Sequence, residues 1–90
     1  MTGGYELVVA GPAARAIAEE LSEAVAAAVI DFITGTLIDN PRRVGPELRN
    51  ELAGTLSARR GTFRVLYRID EARHEVTVLR VDHRRDASRT

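Results

Sequence analysis

The sequence contains no cysteine and no lysine, and no long apolar segment interrupts it. The absence of cysteine excludes disulfide bonds and thiolate metal sites. No apolar run approaches the ~20 residues that a transmembrane helix needs, and nothing resembles a signal peptide, so we expect a cytoplasmic protein outside the membrane. The His, Asp and Glu residues lack the spacing of a metal site, so we expect no metal and no other cofactor.

Charge is unevenly distributed along the 90 residues, although the formal net charge is zero. Residues 1–40 carry a net charge of −5, residues 41–90 carry +5, and all 13 basic residues are arginine. Screening acts over roughly 8 Å at physiological salt, which is less than the size of such a domain. A partner would therefore meet two surfaces of opposite sign. The basic surface suits phosphate, because guanidinium groups bind phosphate oxygens in a bidentate manner.

The N-terminal half of the chain predicts one strand followed by two helices. Residues 5–10 are apolar and β-branched, which favours a short strand. Apolar residues then recur with the period of a helix, and Ser22 divides this long pattern because serine is a favourable N-cap. We predict helices over residues 12–21 and 23–38, followed by a loop over residues 42–46.

The C-terminal half predicts a meander of three antiparallel strands joined by tight turns. The strands are predicted over residues 52–59, 62–69 and 75–82, with turns at residues 60–61 and 70–74. Residues 47–51 are ambiguous, and a short extended segment is one interpretation. The predicted fold class is α+β with the order β-α-α-β-β-β in a single domain over residues 1–90. Two helices pack on one face of a small, mainly antiparallel sheet.

The strand predicted over residues 62–69 has one apolar side and one basic side. The apolar side carries Phe63, Val65, Tyr67 and Ile69, and the other side carries Thr62, Arg64, Leu66 and Arg68. We expect Tyr67 in the core, and we expect the arginine side to be open with almost no acidic residue on it. Solvated arginines are also common on the open face of an ordinary antiparallel sheet, so the pattern alone leaves that alternative open.

Three segments resemble the RelE/ParE superfamily of bacterial toxins, and most closely its RelE branch of ribosome-dependent messenger-RNA endonucleases. They are Asn40–Gly45, Glu51–Asp70 and Leu79–Asp86. The resemblance implies a RelE-like fold and a toxin that is paired with a small cognate antitoxin. It also implies cleavage of mRNA in the ribosomal A site by the RNA's own 2′-hydroxyl, and a toxin–antitoxin hetero-oligomer that binds operator DNA through the antitoxin.

The same resemblance points to individual residues. Arg64 matches the arginine of the family's Gly-x-aromatic-Arg run, and Arg84 matches that of the final Val-x-basic-Arg run. We expect both to stabilise charge on the phosphorus oxygens. His83 is the predicted proton-transfer group because its ordinary pKa lies near neutrality, and a surface histidine at the end of a strand is the alternative. The arginines predicted to hold RNA phosphates are Arg42, Arg43, Arg59, Arg60, Arg68 and Arg85.

The sequence departs from the best-known RelE-type toxins at three positions. Those toxins carry lysines where this chain has Thr55 and Ser57, and a tyrosine where it has Ser88. Two other functions therefore stay open: a ParE-type inhibitor of DNA gyrase that does not cut RNA, and a degenerate toxin that only binds its antitoxin. The antitoxin would either dock an amphipathic helix in a groove or cover the arginine face with acidic residues.

Overall fold

The computed structural model describes residues 4–48 and 54–83, which form an α+β fold with a four-stranded mixed sheet. The strands are β1 (Glu6–Val9), β2 (Leu56–Arg60), β3 (Phe63–Asp70) and β4 (Glu75–His83). Within the described ranges the strand order is β1-β4-β3-β2, with β2, β3 and β4 antiparallel and β1 parallel to β4. The predicted fold class and meander are confirmed. Residues 52–53, where we predicted the second strand to begin, lie outside the described residues.

Two helical segments connect β1 to the rest of the sheet. The first is α1 (Gly11–Arg15), which continues as a π-helical turn (Ala16–Glu20); the second runs from α2 (Glu23–Asp31) through a π-helical turn (Phe32–Thr36) into α3 (Leu37–Asp39). The Ser22 hydroxyl accepts a hydrogen bond from the Val25 amide at 3.3 Å, which confirms the predicted break and N-cap. In the part of the chain that the structure describes, no helix is long and apolar enough to cross a membrane.

A short helix, α4 (Pro41–Val44), occupies the segment that we predicted as a loop. Proline suits the first turn of a helix, because its missing N–H would have no partner there. The Tyr67 hydroxyl donates a hydrogen bond to the Pro41 carbonyl oxygen at 2.5 Å, which fixes α4 to β3. The loop prediction was wrong because a helix of one turn is too short to show a period in its sequence.

The hydrophobic core lies between the helices and one face of the sheet. Phe63, Val65 and Tyr67 of β3 are buried in it, and Ile69 is partly buried, as the alternation predicted. The helices contribute Ala13, Ala16, Val29, Phe32, Ile33 and Leu37, and β4 contributes Val76, Val78 and Val81. Because β3 is the central contributor, its orientation decides which arginines remain on the open face.

The outer edge of β2 is covered by the segment that precedes it. The Ser57 amide donates to the Pro46 carbonyl oxygen at 3.0 Å, and the Leu48 amide donates to the Thr55 carbonyl oxygen at 2.7 Å. Gly45 lies so close that a Cβ atom there would overlap the Ser57 carbonyl oxygen. This cover leaves fewer unpaired backbone groups at an edge that could otherwise pair with another chain.

The turn between β2 and β3 lies one residue later than predicted. Arg60 is the last residue of β2, and Gly61 and Thr62 form the turn. Gly61 has φ 54°, in the left-handed region that glycine adopts without a steric penalty. Arg60 therefore pairs with Phe63 in the ladder, which places it on the helix side of the sheet.

Candidate nucleic-acid interface

The sheet face that the helices leave uncovered carries a row of arginines. Arg64 and Arg68 of β3 are exposed on it, as the alternation predicted, and Arg59 of β2 lies directly opposite Arg64. Like charges that face each other across neighbouring strands destabilise a sheet. Among the described residues, neither Arg59 nor Arg64 has a carboxylate within ion-pair distance. This pair is therefore free to bind an anion.

A β-bulge in β4 brings Arg80 onto the same face. Leu66 pairs with Arg80, but the next residue of β3, Tyr67, pairs with Val78, so Leu79 is an extra residue on the β4 side. A bulge of this kind changes which side chains of a strand point to each face. Because Arg80 is the ladder partner of Leu66, it lies on the face of Arg64.

The sequence analysis did not single out Arg80. Strict alternation from Val76 and Val78 would place Arg80 on the core side of β4. The spacing of three between the buried residues Val78 and Val81 is the signal of the extra residue. Such spacing also occurs by chance in short strands, so it identifies a bulge only once the pairing partners are known.

Arg59, Arg64 and Arg80 form what we call the arginine row, and Asp82 is an acidic residue within it. It lies opposite Arg64 in the ladder, and its Oδ1 accepts a hydrogen bond from Arg80 Nε at 3.2 Å. The expectation of almost no acid on this face was wrong here, because Asp82 lies on it and pairs with Arg80. Arg59, Arg64 and Arg80 still leave an excess of two positive charges over this one carboxylate.

The opposite end of the open face is acidic. Asp70 of β3 pairs with Glu75 of β4, which in turn pairs with Glu6 of β1. Asp70 is six positions beyond Arg64 in the chain, which corresponds to about 20 Å along a strand. The open face therefore changes sign along β3, and on this face the Arg59–Arg64 end is the one that attracts a polyanion.

Arg68 lies between these two ends and is held by a buried threonine. Its Nε donates to Thr55 Oγ1 at 3.4 Å, and Thr55 is only 3% exposed. Ser57 lies opposite Leu66, on the open face. At the two positions where the resembling toxins carry lysines, this chain thus presents one hydroxyl that holds an arginine and one that borders the arginine row.

His83 lies on the other side of the sheet from Arg64. It pairs with Phe63, a core residue, and its Nε2 is 3.0 Å from Thr62 Oγ1. The structure therefore does not place His83 in the arginine row, and its role in proton transfer stays a prediction. Arg84, Arg85 and Ser88 lie outside the described residues.

Three further arginines from the predicted RNA-binding set lie away from the open face. The Cζ atom of Arg60 is 4.9 Å from the centre of the Phe32 ring, at the border of a groove of about 610 Å³ between α2 and the β2–β3 turn. Arg42 and Arg43 are exposed on α4. Arg42 Nε is 2.8 Å from Glu71 Oε2 in the β3–β4 turn, which lies at the acidic end of the sheet.

The contact between Arg42 and Glu71 belongs to a cluster that ties β1 to the β3–β4 turn. The Tyr5 hydroxyl donates to Glu71 Oε1 at 2.9 Å, and the Tyr5 ring stacks on the His74 ring with 3.9 Å between centroids. Hydrogen bonds from Arg42 and then Tyr5 lower the pKa of Glu71. The hydrogen bond to Glu71 raises the pKa of Tyr5. Arg42 thus already has an anionic partner, unlike Arg59 and Arg64.

This fold, with an open arginine face on a small sheet, is that of a bacterial toxin from a type II toxin–antitoxin system. The chain belongs to the family described as ParE toxin of type II toxin-antitoxin system, parDE, which matches residues 6–88. It is 54% identical to Toxin RelG of Mycobacterium tuberculosis over 76 residues, which cover 84% of this chain and 87% of RelG. It is 44% identical to Toxin RelE of the same organism over 80 residues, covering 89% of this chain and 81% of RelE.

Solved structures give the same result for the fold. The Mycobacterium tuberculosis toxin–antitoxin complex RelBE2 contains a chain that superposes with a TM-score of 0.87 at 49% identity, covering 90% of this chain and 99% of that one. The isolated Escherichia coli RelE toxin superposes with a TM-score of 0.71 at 17% identity, covering 88% of this chain and 83% of that one. The resemblance to the RelE/ParE superfamily is therefore confirmed, and the relatives named here are RelE-type toxins.

Proposed function

We propose that this toxin is a ribosome-dependent endoribonuclease that cuts mRNA in the A site and thereby inhibits translation. The observation that supports this proposal most strongly is the Arg59–Arg64 pair, which faces solvent with no carboxylate partner among the described residues. Two exposed guanidinium groups on neighbouring strands suit a phosphodiester, because arginine matches phosphate geometry in a bidentate manner. RNA on the ribosome supplies such groups in a fixed position.

The proposed reaction is attack of the RNA 2′-hydroxyl on the adjacent phosphorus. The bond between O2′ and phosphorus forms, the bond between phosphorus and O5′ breaks, a base accepts the 2′-hydroxyl proton, and an acid protonates O5′. Arg64 stabilises the negative charge that develops on the non-bridging oxygens, and a preorganised donor of this kind contributes about 10²–10³ in rate. Arg84 is proposed to share this role on the ground of the resemblance.

Proton transfer is the least constrained part of the proposal. His83 is proposed as one of the two groups, but its ladder position opposite Phe63 means that it would reach the phosphate around the end of the sheet. A well-positioned acid or base contributes roughly 10²–10⁴ in rate. Because His83 pairs with the core residue Phe63 and lies away from Arg64, we expect its contribution to fall at or below the low end of this range. His83→Gln should then reduce cleavage less than Arg64→Ala does.

The other predicted arginines are proposed to act through position. Arg59 and Arg68 share the face of Arg64 and are proposed to hold neighbouring mRNA phosphates. Arg42, Arg43 and Arg60 lie elsewhere on the surface, so we propose that they contact ribosomal RNA phosphates instead, and Arg85 is kept in this set on sequence grounds. Such contacts fix orientation and do not read sequence.

The proposed partners are a cognate antitoxin and the ribosome with its mRNA, in the cytoplasm. The related structures include toxin–antitoxin complexes from Mycobacterium tuberculosis, Escherichia coli and Pyrococcus horikoshii. An antitoxin with acidic side chains would neutralise the arginine row, and binding of the complex to operator DNA would occur through the antitoxin. No described group of three or more His, Asp and Glu side chains is arranged to bind a metal ion, and the proposed reaction assigns no step to one.

Expression without antitoxin tests the proposal in cells. Wild-type protein should stop growth and produce new transcript 5′ ends within translated codons, and Arg64→Ala should relieve both effects. Arg73→Ala is the matched control, because Arg73 is an exposed arginine in the β3–β4 turn. Growth arrest in which the mRNA stays intact and the DNA-damage response is induced would favour gyrase inhibition. Absence of growth arrest would favour a degenerate toxin. A folded Arg64→Ala variant with unchanged toxicity would count against the proposal.

A further inference from the structure

Arg80 and Asp82 form a pair inside the arginine row rather than at its margin. Asp82 is the ladder neighbour of Arg64, and Arg80 is the ladder neighbour of Leu66, two residues further along β3. Side chains in diagonal positions on neighbouring strands have Cα atoms about 7–8 Å apart, which long side chains span. Arg59 lies on the other side of Arg64. The open face therefore brings three guanidinium groups from three strands into one row with one carboxylate, which contacts Arg80.

The contact between Arg80 and Asp82 leaves the outer part of the guanidinium group free. Arg80 donates through Nε to Asp82 Oδ1 at 3.2 Å. An arginine has five N–H donors, and the four on the two terminal nitrogens are not used by this contact. The carboxylate thus fixes the direction of the side chain while the terminal nitrogens remain able to bind a second anion in bidentate geometry.

We propose that Arg80 is a third phosphate-binding residue of the mRNA site and that Asp82 is a positioning residue that holds Arg80 beside Arg64. This inference rests on the proposed function, since it assigns two more residues to the same RNA site. The β-bulge at Leu79 is the backbone feature that makes the site possible, because without the extra residue Arg80 would point to the core side. Arg80 binds the phosphate next to the one that is cleaved, and Asp82 acts only through Arg80.

The chain offers a closely matched control pair. Arg73 and Asp70 are also an arginine and a carboxylate close in sequence, with Nε–Oδ2 at 3.9 Å. Side-chain exposure is 75% and 48% in that pair, against 65% and 47% for Arg80 and Asp82. Both are solvent-exposed ion pairs, which contribute little to stability, so all four single variants should fold. They differ in location, because Arg73 and Asp70 lie at the acidic end of the sheet.

Binding to programmed ribosomes tests the role of Arg80. The probe is a ribosome carrying mRNA with a 2′-deoxy nucleotide at the cleavage position, titrated with toxin at several salt concentrations. Arg80→Ala should weaken binding about three- to tenfold and reduce the slope of log K against log salt by about 0.7, as loss of one single-strand phosphate contact predicts. Arg73→Ala should change neither quantity, and Arg80→Lys should restore the slope because it keeps the charge.

Single-turnover cleavage at saturating toxin tests the role of Asp82. Asp82→Ala removes a negative charge from the site, so the ribosome complex should form at least as tightly as with wild type. The saturated cleavage rate constant should nevertheless fall about tenfold, because Arg80 Nε loses the acceptor that orients the side chain. Asp70→Ala should leave both quantities unchanged. A fall in rate without a loss of affinity distinguishes positioning from a general structural defect, which thermal unfolding of each variant checks.

The outcomes separate this inference from the proposed function. If the wild type cuts mRNA but Arg80→Ala matches Arg73→Ala in affinity and salt slope, Arg80 is not part of the site and the inference is overturned alone. An unchanged saturated rate in Asp82→Ala would equally remove Asp82 from the positioning role. If the wild type does not cut mRNA and Arg80→Ala still reduces ribosome affinity and slope, the nuclease proposal fails while the phosphate contact of Arg80 stands.

Discussion

Replacing Tyr67 with phenylalanine removes the hydroxyl that fixes α4 to β3. The side chain is fully buried, and its hydroxyl donates to the Pro41 carbonyl oxygen. Burial raises the pKa of Tyr67 from 10.0 to about 12, because a phenolate is disfavoured away from water. The substitution should therefore alter both the stability at neutral pH and its dependence on alkaline pH.

The sign and size of the alkaline effect follow from proton linkage. Between about pH 10 and pH 12 the unfolded chain releases the Tyr67 proton while the folded protein retains it. The contribution of the buried neutral hydroxyl is fully present below pH 10 and is lost as pH rises to about 12. Two pKa units correspond to about 2–3 kcal/mol, and this part of the alkaline loss should be missing in Tyr67→Phe.

At neutral pH the same substitution should reduce the free energy of unfolding. The Pro41 carbonyl oxygen would lose its donor from Tyr67, and a lost hydrogen bond of this kind costs about 1 kcal/mol. Urea unfolding followed by circular dichroism at pH 8, 10 and 12 measures both effects. Tyr5 is the only other tyrosine, so Tyr5→Phe as the background removes its titration from both proteins. If the Tyr5→Phe protein with and without Tyr67→Phe loses stability in parallel between pH 10 and 12, the assigned burial of the Tyr67 hydroxyl is wrong.

Three further predictions test local contacts of the fold. Ser22→Ala should lower the free energy of unfolding by about 1 kcal/mol through loss of the N-cap, seen as a thermal midpoint about 4–8 °C lower. Gly45→Ala should cost about 1–3 kcal/mol because the new methyl group meets a β2 carbonyl oxygen. Gly35→Ala should be neutral or stabilising in the same unfolding assay, because its added Cβ meets no neighbouring segment within 4 Å. Arg42→Ala should raise the pKa of Glu71 toward its ordinary value, measured by NMR titration, and an unchanged pKa would contradict the assigned contact.

The sequence was sufficient for the faces of β3 because this strand has no irregularity. Phe63, Val65 and Tyr67 alternate with Arg64 and Arg68 over the whole strand, so period two alone separates the core from the open face. Ser22 was identified by the same kind of local reasoning, since its capping contact with the Val25 amide spans only three residues. These two predictions, which depend on near neighbours in sequence, were thus confirmed.

Features that depend on distant pairing were not visible in the sequence. The bulge at Leu79 exists only relative to β3, and it moves Arg80 from the predicted core side to the arginine face. The place of His83 opposite Phe63 likewise follows from the ladder and not from its position in the chain. Arg60 was assigned to a turn because Gly61 follows it. Gly61 and Thr62 form that turn, and Arg60 belongs to β2.

The central claim is that Arg64 stabilises the charge that develops on a scissile RNA phosphate. The most direct measurement is the single-turnover rate of mRNA cleavage on programmed ribosomes at saturating toxin, for Arg64→Ala beside Arg73→Ala. We expect Arg64→Ala to reduce the rate constant about 10²–10³-fold, as for loss of one oxyanion donor, and Arg73→Ala to leave it unchanged. Equal rate constants for the wild type and a folded Arg64→Ala variant would contradict the claim.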